Sequence, residues 1–335
     1  ANGAAEPKRN ISMDSAVASL PSEAVSGTSA KFSCYSRMGN ELEVDTEIMR
    51  GLTLRDCLKY GGCMWYTSPS RLTSKQCDYR WKISKPCKKY DMFLSHTWNT
   101  SGLAKHLAIL LQSGWPIALC FWVVAQVLIV ILCVWDVIPV PYELPPDMKI
   151  DGLFEIPLVP WTLLTSFCSL TLGFLMAPYF PSLGRAPDTC FLDVACVNQS
   201  DRELTERAVY GLGGFLAMSD ELRVLWSAPY LSRLWCVFEL AAYRPANPTG
   251  KISFRPIYME LSVLIAVPTI HLINLLSYVC LVHLRDVMPL IPFSIVCLSC
   301  CVHLLRRSHR ARLQLMSDLQ SFDIQNASCA NAFDR

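Results

Sequence analysis

The alternation of apolar and polar positions divides this chain into two kinds of text. Between Leu107 and Trp135, and again between Ile156 and Gly184, there is no charged residue, although a bilayer core needs only about 20 apolar residues. Two further apolar runs, Leu261–Leu284 and Val287–Leu305, are parted by Arg285 and Asp286. The pattern therefore predicts four transmembrane helices arranged as two hairpins, at about 115–137 and 158–181 and at about 261–284 and 287–305. Trp115, Trp135, Trp161 and Tyr179 flank the first pair, as residues of the bilayer interface do. Pro268, Pro289 and Pro292 are compatible with spans, where neighbouring groups satisfy the freed carbonyls.

The remaining text predicts a small α/β body. Tyr90–Ser95 is a short apolar run ending in a small polar residue, as a buried parallel strand does. Leu103, Leu107, Leu110 and Leu111 follow at helical spacing, with Lys105 and His106 on another face. Thr189–Val194 reads as a second strand with Asp193 near its carboxyl end, the edge where open parallel sheets bind ligands. A helix from Leu204 to Ser219, carrying Gly211, Gly213 and Gly214, leads to a third strand at Leu222–Ser227. A helix is expected from about Pro229 towards Pro245, with Ser232, Trp235 and Glu239 on one face. Ile252–Tyr258 is a fourth strand, running almost directly into the third span. Residues 1–30 read as a disordered tail, and 31–89 as a cysteine-containing lead-in of unassigned fold.

Charge orients the whole. The segment from Val137 to Glu155 holds Glu143, Asp147, Asp151 and Glu155 against Lys149 alone, which suits the non-cytosolic face. The fourth span exits into Arg306, Arg307, Arg310 and Arg312, the cytosolic signature, so the tail 306–335 and the α/β body (90–113 with 185–260) are expected in the cytosol. Two spans return the chain to the side it left, so the strands on either side of the first hairpin can still pair.

Composition agrees with the membrane reading: 52% of the 335 residues are hydrophobic and 17% charged, against about a quarter charged in soluble domains. A net charge of +2 without a basic stripe speaks against a nucleic-acid partner. Among the sixteen cysteines, Cys34, Cys57, Cys63, Cys77 and Cys87 cluster at spacings that match none of the common zinc patterns, so reduced structural cysteines are expected and no metal site. His271 lies within the third span without an acidic partner and reads as a hydrogen-bonding packing residue.

The segments YDMFLSHTW at 90–98, CFLDV at 190–194 and LRVLWSAPYLSRLWCVFEL at 222–240 together resemble the TIR (Toll/interleukin-1 receptor and resistance protein) domain family, in the family's order. The resemblance implies a flavodoxin-like parallel sheet of about four strands with helices on both faces. It also implies self-association, contact with other TIR-domain proteins, and either pure signalling or cleavage of NAD at the nicotinamide–ribose bond. By residue type alone Glu239 is an ordinary solvated helix residue. By the resemblance it takes the catalytic position, with Ser95, His96, Trp98, Asp193 and Trp235 around the nucleotide. NAD would enter as substrate, with no cofactor expected. One carboxylate suffices for that bond, because nicotinamide leaves as a neutral molecule from a cationic pyridinium and needs no acid. A non-catalytic interaction module is the alternative, and a four-helix channel or transporter with a regulatory domain the third reading.

Overall fold

The computed structural model describes residues 47–139, 160–180, 188–280, 288 and 290–322. The tail 1–30, Cys34, most of the acidic segment between the first two runs, and His283, Arg285, Asp286 and Pro289 lie outside these residues.

Among the described residues the strands are β1 (Arg50–Thr53), β2 (Lys85–Pro86), β3 (Tyr90–Ser95), β4 (Thr189–Phe191), β5 (Ser219–Trp226) and β6 (Lys251–Pro256). They form one sheet in the order β2-β1-β4-β3-β5-β6. β4, β3, β5 and β6 run parallel, whereas β1 pairs antiparallel with both β4 and β2. The expectation of a purely parallel sheet of about four strands is thus corrected to a mixed sheet of six. The added pair comes from the segment 31–89. β1 is only four residues long and contains Gly51, too little text for a periodicity, and it is held by long-range pairing of Leu52 with Cys190. β3, in the middle of the sheet, is buried along nearly its whole length, which explains its continuous apolar run.

Among the described residues the α-helices are α1 (Leu54–Gly62), α2 (Ser74–Ile83), α3 (Gly102–Val134), α4 (Pro160–Met176), α5 (Asp193–Cys196), α6 (Arg202–Tyr210), α7 (Leu212–Ala217), α8 (Leu234–Ala246), α9 (Ile257–Val279) and α10 (Leu290–Gln320). The single helix expected over Leu204–Ser219 is two, α6 and α7, meeting at Gly211, and Ser219 belongs to β5. The expected soluble helix and first span are one element. At 33 residues α3 is about 50 Å long, well beyond the ~30 Å hydrocarbon core, so its first turns belong to the α/β body. There Ala108 and Ile109 join the core, with Lys105 and His106 buried beside them.

Among the described residues three stretches, Gly102–Val134, Trp161–Tyr179 and Ile291–Gln320, are long and apolar enough to cross a membrane. The apolar part of α9 is shorter, Ser262–Tyr278. Val123, Val124, Val127, Leu128, Val130, Ile131 and Val134 are all exposed on α3, a surface that water would not tolerate and lipid would.

The hairpin of α3 and α4 leaves the body at the amino edge of the parallel strands. Phe180, just past α4, accepts a hydrogen bond from Arg55 through its carbonyl (2.8 Å), and Leu54 N–H donates to the carbonyl of Asp188, immediately before β4 (3.1 Å). The carboxyl ends of β3 and β4 therefore lie at the edge opposite the one from which this hairpin leaves, whereas α9 starts directly from the carboxyl end of β6.

Candidate functional site

At the carboxyl edge, β3 ends at Ser95, β4 gives way to Asp193 and β5 to Ser227. The chain after β5 does not enter a helix at Pro229. Tyr230 N–H donates to the carbonyl of Ser227 (2.9 Å) and Arg233 N–H to that of Tyr230 (3.2 Å), forming tight turns, and Ser232 Oγ donates to the Pro229 carbonyl (2.7 Å). α8 begins only at Leu234, so Ser232 shares no helical face with Trp235 and Glu239. The turn residues compete with the helix for backbone hydrogen bonds and win.

On α8 the buried stripe contains Cys236, Leu240 and Tyr243, and Glu239, half-buried, borders it at helical spacing. The reading of Glu239 as a solvated residue is thereby overturned: its carboxyl is directed at the end of β3. Ser95 Oγ donates to Glu239 Oε2 (2.5 Å) and also meets Tyr230 Oη (2.5 Å), while Tyr230 Oη reaches the Cys236 carbonyl (3.3 Å). Ser95 and Tyr230 are fully buried. Desolvation raises the Glu239 pKa to about 8; the Ser95 hydrogen bond opposes this, and the charge of Asp193 adds to it.

The chain of groups accommodates either protonation state. With Glu239 ionised, Tyr230 donates to Ser95 and Ser95 to the carboxylate. With Glu239 neutral, the carboxyl proton goes to Ser95, Ser95 donates to Tyr230, and Tyr230 to the Cys236 carbonyl. No buried group loses its partner in either direction.

A second cluster adjoins it. Trp98 Nε1 donates to Asp193 Oδ2 (2.8 Å), and His96 Nε2 stands 4.0 Å from Asp193 Oδ1. That nitrogen is buried and without a hydrogen-bond partner, while Nδ1 meets the Leu94 carbonyl (3.4 Å), so in the neutral ring Nδ1 donates there and Nε2 is left as an open acceptor. Burial lowers the His96 pKa to about 4, with Asp193 opposing, so the ring is neutral at neutral pH. Its ring lies edge-on to Trp98 (4.7 Å) and Trp65 (5.3 Å). Cys236 Sγ reaches the His96 carbonyl (3.4 Å), joining α8 to this loop.

Lys105, fully buried, donates to the Thr97 carbonyl (3.2 Å) and sits 4.4 Å from the centre of the Trp98 ring. The cation–aromatic contact and the carbonyl stand in for the water it has lost.

Of the residues expected around the nucleotide, Ser95, His96, Trp98 and Asp193 are brought together with Glu239 at one edge. Trp235, one turn before Glu239, is half-buried with its ring edge-on to Phe238 (6.0 Å). Sequence reasoning missed Tyr230, Lys105 and Trp65 as members of the cluster. The signals were present in part: a tyrosine within APYLS, and a lysine opposite an apolar helix stripe whose charge made it look exposed.

Among the described residues no group of three or more His, Cys, Asp or Glu side chains could hold a metal ion. Cys57 is buried with its Sγ 3.5 Å from Cys190, Cys77 is buried, Cys87 half-buried and Cys63 exposed. No known family model, curated protein or solved structure matches the chain.

Proposed function

We propose that this chain is a membrane-anchored TIR-like protein that cleaves NAD at the nicotinamide–ribose bond, with Glu239 as the catalytic carboxylate. The observation that carries this reading is the 2.5 Å hydrogen bond between Ser95 and Glu239 at the carboxyl edge of the sheet. It joins the first and last of the segments on which the resemblance rests. Numbered from β3, the parallel strands lie in the order 2-1-3-4, the beginning of a flavodoxin-like arrangement, whose ligands bind at this edge.

The chemistry follows from charge. Resting Glu239 is held largely neutral by burial at neutral pH. A pyridinium cation placed beside it favours the ionised form, so arrival of the substrate supplies the carboxylate that meets the oxocarbenium-like ribose. His96 Nε2, the unpartnered atom of the site, is available to a ribose or amide group. Nicotinamide departs neutral, and water completes the hydrolysis.

In this reading α3, α4, α9 and α10 form two membrane hairpins, the α/β body and the basic end of α10 lie in the cytosol, and copies of the body self-associate. The test is nicotinamide release by the purified full chain in lipid nanodiscs, at a density that permits assembly. Wild type releases nicotinamide, and Glu239→Ala loses about 10²–10³-fold or more of that rate. Equal rates in the two samples, or none in the wild type, would remove the enzyme assignment.

A second reading, a non-catalytic TIR-like interaction module, is favoured by one observation: Ser95, Glu239 and Tyr230 already satisfy one another. It is the outcome to which a silent wild type would point.

A further inference from the structure

The seam between α9 and α10 opens into a groove of about 200 Å³ that the chemistry at Glu239 does not use. Its walls are Val263 and Ala266 from α9 and Leu304 and Leu305 from α10, and Ser262 and Ser308 stand at the end nearer the α/β body. The space exceeds the roughly 150 Å³ that holds benzene in an apolar protein cavity, so a length of hydrocarbon fits.

One turn closer to the body the same helix faces carry Tyr258 and Arg312, four positions from Ser262 and Ser308 respectively. The Tyr258 hydroxyl is buried without a hydrogen-bond partner, and Arg312 is near enough for its charge to act on it. Arg306, Arg307 and Arg310 are exposed on the turns between, and no acidic residue occurs on α10 before Asp318, which lines a separate small hollow with Tyr258 and Trp226. Glu260, the nearest carboxyl on α9, accepts from Gln112 of α3 (2.7 Å), and its charge also reaches Tyr258, in the sense opposite to that of Arg312. The groove thus has hydrocarbon walls, hydroxyls at its rim and a positive charge beyond them.

We propose that this groove binds an anionic phospholipid of the cytosolic leaflet, with one acyl chain between α9 and α10 and the headgroup phosphate on Arg312 and the Tyr258 hydroxyl. Charge complementarity selects this occupant. A zwitterionic lipid offers the arginines no net charge, and an apolar helix from a second copy would leave the Tyr258 hydroxyl unmatched. The inference rests on α9 and α10 lying in the bilayer and is independent of any activity at Glu239.

The full chain in phosphatidylcholine nanodiscs, given a trace of phosphatidylserine or of phosphatidylcholine with a photoreactive acyl tail, tests it. The phosphatidylserine probe is expected to cross-link the peptides covering 262–266 and 301–308 about fivefold more than the phosphatidylcholine probe, the preference one well-placed arginine confers. Arg312→Gln abolishes the preference while labelling of α3 by both probes, which reports bilayer insertion itself, stays constant. Ala266→Phe fills the groove and removes cross-links there from either probe. Equal labelling by the two probes, or an undiminished preference in Arg312→Gln, would overturn the proposal. Because Arg312 is exposed, its substitution decides the matter even if the larger side chain at 266 prevents folding.

Discussion

Desolvation shifts Glu239 and His96 in opposite directions, and the two leave opposite marks on stability. The folded Glu239 carboxyl has its pKa raised from 4.5 to about 8, so the native state holds its proton more tightly than the unfolded chain. Its contribution is complete below pH 4.5 and is lost as the pH climbs through about 8. His96 is lowered from 6.5 to about 4, so its contribution is complete above pH 6.5 and is lost as the pH falls through about 4. Thermal unfolding in detergent across this range should therefore show stability falling on both flanks. Glu239→Gln, which keeps the shape and cannot ionise, should flatten the alkaline flank and leave the acid flank in place. A decline between pH 4.5 and about 8 that persists unchanged in Glu239→Gln would mean that the folded carboxyl does not hold its proton in this window. Much of this site was legible in the sequence: Ser95, His96, Trp98, Asp193 and Glu239 were all named from short segments. Tyr230 and Lys105 were not, because nothing in a local pattern says that a turn tyrosine will meet a serine 135 positions away, or that a lysine will be buried over an indole.

At the level of elements, the first hairpin is held by small residues at matching spacing on both helices. Gly114 and Ala118 on α3 face Gly173 and Ala177 just at the end of α4, and a Cβ on Gly173 would lie 2.6 Å from the Ala118 Cα. A Cβ on Gly114 would meet the Phe174 ring at 3.0 Å, which can turn aside. Close approach of this kind is how helices gain packing in lipid, where no hydrophobic drive separates helix from solvent. Gly173→Leu is expected to force the backbones apart and cost about 1–3 kcal/mol, and Gly114→Ala distinctly less, as read from melting in detergent. A Gly173→Leu protein that melts no lower than Gly114→Ala would mean the helices do not cross here. A polar tie supplements the crossing: Trp122 Nε1 donates to Ser166 Oγ (2.7 Å), which meets His271 Nε2 (3.3 Å), whose other nitrogen reaches the Val267 carbonyl (2.9 Å). This matches the packing role read for His271, and Ser166→Ala should cost ~0.6 kcal/mol, at most about 1.7. Elements with a sustained pattern, β3, β5 and the apolar helices, were readable in the sequence. β1 and β2 were not, since their pairing is supplied by distant strands, and the break at Gly211 was hidden because a helical period runs across it.

On the scale of the whole molecule, the membrane helices are part of the connectivity of the sheet. The chain leaves after β3, runs out along α3 and back along α4, and returns to lay β4 beside β3 in parallel. Only an even number of crossings permits that pairing, so α3 and α4 must both span or neither can. β6 runs straight into α9, and α10 comes back to place Leu315 and Leu319 in the core. The same parity governs the second pair: α9, whose apolar part is the shorter one, and α10 cross together or not at all. The prediction is a topology with the α/β body and the basic end of α10 in the cytosol, and the linker between α3 and α4 on the opposite face. Cys196 and Cys236 cannot report on this, because both are buried whichever side they occupy. Cys63 is exposed at the end of α1 and can. In intact cells a membrane-impermeant maleimide, read peptide by peptide, should leave Cys63 unmodified and react with an Asp151→Cys variant. Permeabilisation should then expose Cys63. Modification of Cys63 before permeabilisation would invert the orientation, and modification of both sites would show that the hairpin does not cross, leaving the exposed valines and leucines of α3 to be covered by protein instead of lipid.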